Sequence, residues 1–142
     1  MTMPVSQFVY ASTFVPGRIT SARSAFQDII RAAQTSNDAN EISGCLIFDG
    51  RFFVQMLEGD SAAIENAFQR LRRDRRHRNI AVIGMRSDQA RSFGAYPMIG
   101  LWYSNNVELC FVENDDENRN LCQTNAIALA SHLSEYRPHH DW

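Results

Sequence analysis

The apolar periodicities along this 142-residue chain predict an α+β fold, a largely antiparallel sheet carrying two helices on one face. Three observations predict it. Short runs rich in branched and aromatic residues (FVYAS, GCLIF, FFVQML, NIAVIG) alternate with two stretches of helical spacing. Asp49-Gly50 joins two of the runs as a tight hairpin. A further stretch of helical spacing near the C-terminus offers a cover for the sheet's other face.

The run 7–12 (QFVYAS) is the first strand, ended by Pro16 and Gly17. Thr20 or Ser21 caps a helix whose stripe is Ala22, Phe26, Ile29 and Ala33. That helix closes in 36–40 (SNDAN). Strands at 42–48 and 51–57 form the hairpin. A two-residue turn at Asp49-Gly50 would set Phe48 opposite Arg51, Leu46 opposite Phe53 and Gly44 opposite Gln55. The sequence GDS at 59–61 caps a second helix with the stripe Ile64, Phe68 and Leu71, which runs into RRDRRHR at 72–78. A fourth strand follows at 79–86. A fifth is expected around 96–103, where Pro97 either weakens it or puts it at an edge. The resulting order, βαββαβ(β), is the split βαβ arrangement of ferredoxin-like sheets. Beyond residue 104, an acidic linker at 112–118 leads to a helix at about 119–136 with Leu121, Ala128, Leu129 and Leu133 as its stripe. Packing of that helix would explain why FFVQML is apolar on both faces. These readings divide the chain into a domain at 1–104 and a linker with a helix packed on the sheet at 105–142.

Composition narrows the function. The apolar fraction is 44%, the charged fraction 21% and the net charge −2, so no global field argues for nucleic acid or membrane. All 14 basic residues are arginine, for which the sequence gives no physical reason. Cys45, Cys110 and Cys122 are odd in number and widely spaced, which suggests a reducing compartment without disulfides. No secretory signal or long apolar segment is present, so a cytoplasmic location is expected. Six arginines between residues 70 and 78 suggest a solvated helix end, or a phosphate contact, ahead of nucleic acid, because no aromatic residues interleave them. His139, His140 and Asp141 are read as solvent-exposed, and no metal site is expected. No nucleophilic triad and no Gly-rich phosphate loop is present.

Polar groups in apolar places are more informative. Gln55 interrupts FFVQML, and a buried amide without partners costs about 1–3 kcal/mol. It either finds partners within the protein or meets something that is not protein. Opposite it, Gly44 marks either a close approach or a bulge. Tyr10 is central in the first strand. Asn37 continues the helical stripe of Ile29 and Ala33, or is simply a C-terminal asparagine. Arg70 and Asp74 lie on the side of Ala63 and Ala67, or form a solvated i,i+4 pair. Together they set a phenol, two amides and an arginine around a gap between two helices and a sheet.

Taken in order, FVYAS, a helix ending in SN, ISGCLIF, FFVQMLEG, RDRRH and RSFGAYPM resemble the BLUF domain, a flavin-binding blue-light sensor, over residues 5–104. The resemblance implies flavin between the two helices, as FAD or alternatively FMN or riboflavin. It implies that Tyr10 and Gln55 are the photoactive pair, with Met98 on the last strand. Tyr96 stands where many members carry tryptophan, and the nearest tryptophan, Trp102, lies four residues after Met98. Cofactor contacts are implied at Tyr10, Ile29, Asn37, Gln55, Arg70, Asp74, Arg76 and His77. Blue light would draw an electron and then a proton from the tyrosine. The glutamine amide would rotate or tautomerise and shift the absorption to the red, with no substrate turned over. Tyr96 could compete as electron donor, and Ser36 replaces a bulkier polar residue of some members. Neither removes the tyrosine–glutamine pair, so photoactivity is expected. The signal would leave through the C-terminal helix to a separate effector protein, and a homo-oligomer is expected. Two alternatives stay open: a flavin-binding interaction protein that has lost photoactivity, and an acylphosphatase-like enzyme. The second would need an anion site after the first strand, where TFVPGR offers one arginine.

Overall fold

The computed structural model describes residues 3–17, 21–94, 96–104, 108–111 and 119–140. Among the described residues, six strands and three helices follow in the order β1 (Val5–Phe14), α1 (Ala22–Ala39), β2 (Ser43–Phe48), β3 (Phe52–Gly59), α2 (Ser61–Arg72), β4 (His77–Gln89), β5 (Ile99–Ser104), β6 (Glu108–Phe111) and α3 (Arg119–His140). The sheet order is β4-β1-β3-β2-β5-β6. All pairs are antiparallel except β2 with β5. The first four strands have the ferredoxin-like arrangement the sequence predicts.

Local chemistry sets the helix starts. The Ser21 hydroxyl accepts from Ser24 N at 3.1 Å, and the Asp60 carboxylate accepts from Ala62 N at 3.2 Å, each satisfying a first-turn donor that the helix leaves without a partner. The alternation of β3 then separates two cores. Phe53 and Leu57 pack with Phe26, Ile30, Leu46 and Ile64 under α1 and α2. Phe52 and Val54 pack with Ile47, Leu101, Leu129 and Leu133 under α3. A fully buried Leu, Ile or Phe stabilises by about 1.5–3 kcal/mol, which explains why β3 is apolar on both faces.

Four expectations change. The hairpin turn is one residue later, centred on Gly50-Arg51. Gly50 has φ +99°, Asp49 N donates to Phe52 O at 3.3 Å, and Asp49 Oδ1 accepts from Arg51 N and Phe52 N at 2.9 and 2.8 Å. Glycine at the first central position supplies the positive φ a tight hairpin needs. Pairing therefore moves by two residues: Phe48 faces Phe53, Leu46 faces Gln55 and Gly44 faces Leu57. An even shift preserves the faces, so the core assignment survives while Gln55 changes its partner. A Cβ on Gly44 would lie 2.2 Å from Met56 O, so the glycine answers a close approach of backbone rather than of a ligand.

The fifth strand begins at Ile99, two residues after Pro97, and is interior, because β6 pairs outside it. Residues 108–111 thus extend the sheet past the expected boundary at 104. Among the described side chains of α3, the buried ones are Ala126, Leu129, Ala130, Leu133 and Tyr136, one coherent stripe, whereas Ala128 lies on the exposed side. Finally, α2 ends at Arg72, so Asp74 is not on the helix. The acidic stretch 112–118, Arg18, Thr20 and Asp141 lie outside the described residues, as do the side chains of Cys110, Leu121, Cys122, His139 and His140.

Candidate functional site

Between α1 and α2 a groove of about 270 Å³, open to solvent, runs over the sheet. Ile29 and Ala33 wall it from α1, Ala67 and Leu71 from α2, and Leu57 lies in its floor. The small alanines keep the helices from filling the gap. A narrower pocket, lined by Tyr10, Leu46, Phe53 and His77, continues from it. Ile29, Gln55, Leu71, Asp74 and Arg76 line both.

The floor holds a buried polar chain. Tyr10 on β1 pairs laterally with Gln55 on β3, and both are 2% exposed. Tyr10 Oη donates to Gln55 Oε1 in a short hydrogen bond. Gln55 Nε2 in turn donates to Met98 Sδ at 3.8 Å, a weak contact. Burial, and secondly the negative charge of Asp74, push the Tyr10 phenol well above its ordinary value. The phenol therefore keeps its proton at neutral pH. Met98, itself buried, stands immediately before β5.

Asn37, buried in the last turns of α1, donates through Nδ2 to Pro97 O at 2.8 Å. Its Oδ1 accepts from no other group among the described residues. Arg70 is exposed, and its guanidinium spans the groove mouth to donate to Ser36 Oγ at 2.8 Å. The solvated Arg70–Asp74 pair does not form. Asp74 instead chelates Arg76, accepting from N and Nε at 2.9 Å and from Nη2 at 2.6 Å. Partial burial works to raise the Asp74 carboxyl. The hydrogen bonds and charge of Arg76, helped by His77, outweigh it and hold the group below the usual carboxylate range.

His77 spends both ring nitrogens on protein. Nε2 donates to Leu71 O at 2.5 Å, and Nδ1 meets Ser12 Oγ at 2.8 Å. It lines the inner pocket with its ring and ties the end of α2 to β1. The structure thus gathers Tyr10, Ile29, Asn37, Gln55, Arg70, Asp74, Arg76 and His77 around one groove, with Met98 beneath. It does not bring Tyr96 there. That side chain packs with Val9, Met56 and Ala81 against the α3-side core. Sequence reasoning missed Leu46, because the expected register set Gly44 in its place. It also missed the Ser36 bridge, which no local pattern signals because its partner is 34 residues away.

Comparisons with known proteins bear on the family and the fold. Residues 5–99 match the family model BLUF, described as sensors of blue-light using FAD. Over 67 residues, 47% of this chain, the sequence is 31% identical to the photoactivated adenylate cyclase subunit alpha of Euglena gracilis, of which it covers 7%. Klebsiella pneumoniae BlrP1 with FMN and cyclic diGMP superposes with a TM-score of 0.63 at 27% identity, covering 70% of this chain and 26% of that one. The dark-state structure of BlrB, a BLUF protein, superposes with a TM-score of 0.64 at 23% identity, covering 87% and 83%. Among the described residues, no helix is long and apolar enough to cross a membrane. The chain belongs to the BLUF family of blue-light-sensing flavin photoreceptors.

Proposed function

We propose that this chain senses blue light through FAD held in the α1–α2 groove, with Tyr10 and Gln55 as the responding pair, and that α3 carries the response to a separate effector protein in a homo-oligomeric assembly. The observation that carries the reading is the buried chain Tyr10 Oη–Gln55 Oε1, Gln55 Nε2–Met98 Sδ at the groove floor.

The residues fit a flavin. Ile29, Ala33, Ala67 and Leu71 make apolar walls for a flat ring, and the Asn37 and Gln55 amides offer donors and acceptors to its polar edge. Arg70 supplies positive charge for a phosphate, and Arg76, paired with Asp74, offers it hydrogen-bond donors beside the same groove. FMN and riboflavin are the other candidates, because the ring-binding groups serve all three. When bound, a flavin supplies the blue absorption band and an acceptor for one electron.

Tyr10 supplies both an electron and a proton. Once it is oxidised, the acceptor within hydrogen-bond reach of its proton among the described residues is Gln55 Oε1. Before that, Tyr10 as donor fixes the amide with Oε1 toward the phenol and Nε2 toward the thioether. Turning the amide over would point Oε1 at Met98 Sδ, which cannot donate, at a cost of about 1–3 kcal/mol. Loss of the phenolic proton removes the donor that holds the first orientation. Gln55 is therefore a two-state element whose state depends on the Tyr10 proton, and rotation or tautomer exchange rewires the floor without adding charge. Tyr96, on the other face, does not share this path.

The test is the visible spectrum of protein purified in dim light, before and after blue illumination. A flavin band that shifts red and relaxes in darkness supports the proposal. Bound flavin that does not respond would leave the flavin-binding role and refute the sensing mechanism.

A further inference from the structure

Three residues after Gln55 on β3, Glu58 is 0% exposed and lies outside the groove. Four donors converge on its carboxylate. Oε1 accepts from Ser43 Oγ at 2.9 Å and Phe93 N at 3.0 Å, while Oε2 accepts from Gln7 Nε2 at 2.7 Å and Ser92 N at 2.5 Å. Two come from side chains of β1 and β2, and two are backbone amides of the connection between β4 and β5. Gln7 reinforces the same grip, its other N–H shared between Ala90 O at 3.1 Å and Ser92 Oγ at 3.0 Å. Charge-assisted hydrogen bonds of this kind are the strong ones, and an amide left without its acceptor in a buried site costs about 1–3 kcal/mol.

The connection so held leads directly to the groove. Phe93 O accepts from Tyr96 N at 3.2 Å, and Tyr96 O accepts from Gly44 N at 3.2 Å. Pro97 O then takes the Asn37 amide at 2.8 Å, and Met98 O takes Gln34 Nε2 at 3.2 Å. Met98 Sδ ends the run against Gln55. Glu58 and Gln55 share one strand, so the anchor and the amide are fixed relative to each other, and the anchor determines where Met98 stops. The same anchored residues meet α3. Ser92 O accepts from Asn125 Nδ2 at 2.9 Å, and Phe93, 0% exposed, packs with Ala126 and Leu129.

We infer that Glu58 is a positioning residue for the photoresponse: its carboxylate holds Ser92 and Phe93 so that Met98 stays on the Gln55 amide, and it keeps that segment in register with α3. The inference rests on the sensing role proposed above.

The test uses the flavin-loaded full chain and the variant Glu58→Gln, which keeps the volume but turns an NH2 toward two of the four donors. Amide hydrogen exchange at Ser92 and Phe93 is expected to rise by about tenfold or more in the dark. The red shift is expected to shrink, or its dark recovery to change by about threefold or more, with flavin occupancy unchanged. Gln7→Leu, which removes one donor to Glu58 and two further ties to the segment, is expected to move the same readouts by less and serves if Glu58→Gln does not fold. Faster exchange with the wild-type shift and recovery would reduce Glu58 to a structural tie and overturn the inference, as would unchanged exchange. If the wild-type protein itself shows no shift, the sensing proposal fails separately. The inference is then decided by the dark NMR shifts of the Gln55 side-chain amide, which Glu58→Gln must move if the anchor positions Met98.

Discussion

Replacing Gln55 by leucine keeps a side chain of similar size and removes the acceptor for a buried hydroxyl. Tyr10 is 2% exposed, and Gln55 Oε1 is the group to which its Oη donates. An unsatisfied buried hydroxyl costs about 1–3 kcal/mol, and leucine between Phe53 and Leu57 returns roughly 1 kcal/mol of apolar burial. The net loss for Gln55→Leu is then about 0–2 kcal/mol, or up to about 8 °C in Tm for a chain of this size. Tyr10→Phe strands the amide oxygen instead and is expected to cost a similar amount. The double variant strands neither group, so its loss should fall short of the sum of the single losses by about 1–2 kcal/mol. Urea unfolding of the four proteins, in one flavin state, measures this coupling. Effects that add to within about 0.5 kcal/mol would show that the two groups do not form the buried pair on which the site is built.

Asn37→Ala removes a groove-lining amide and its bond to Pro97 O; flavin occupancy after gel filtration should fall, and unchanged occupancy would count against a gripping role. Asp74 has a folded pKa below its unfolded value of about 3.9, so its contribution to stability is complete above about pH 4 and is lost as pH falls through the lower folded value. Asp74→Asn should therefore flatten acid denaturation below about pH 4, read as unfolding midpoint against pH, while lowering stability at neutral pH. Gly44→Ala places a Cβ 2.2 Å from Met56 O, a backbone atom that cannot swing away, so a loss of about 1–3 kcal/mol is expected by thermal melting.

Periodicity carried most of the fold, because strands and helices declare themselves through their own residues. The Asp60 and Ser21 caps, the ferredoxin-like order and the two-sided burial of β3 all follow from local pattern. What escaped depended on contacts distant in sequence. The hairpin register turned on which residue takes positive φ, and both Asp49-Gly50 and Gly50-Arg51 are compatible with the sequence. The place of β5 inside the sheet depended on β6, a four-residue strand too short to show a period. At the site, Tyr10, Asn37 and Gln55 were legible as polar residues in apolar stripes. The pairing of Asp74 with Arg76 was not, because the end of α2 at Arg72 takes Asp74 off the helical face its spacing suggested. Nothing in the local sequence around Glu58 sets it apart. Its four donors come from segments as far away as Gln7 and Phe93.

The most direct test of the central claim is the light-minus-dark absorption difference of flavin-loaded Gln55→Leu, recorded beside the wild-type protein at matched flavin occupancy. The account predicts a bound flavin with no red shift in the variant and a reversible red shift in the wild type. A normal red shift in Gln55→Leu would remove the amide from the photoresponse and contradict the account.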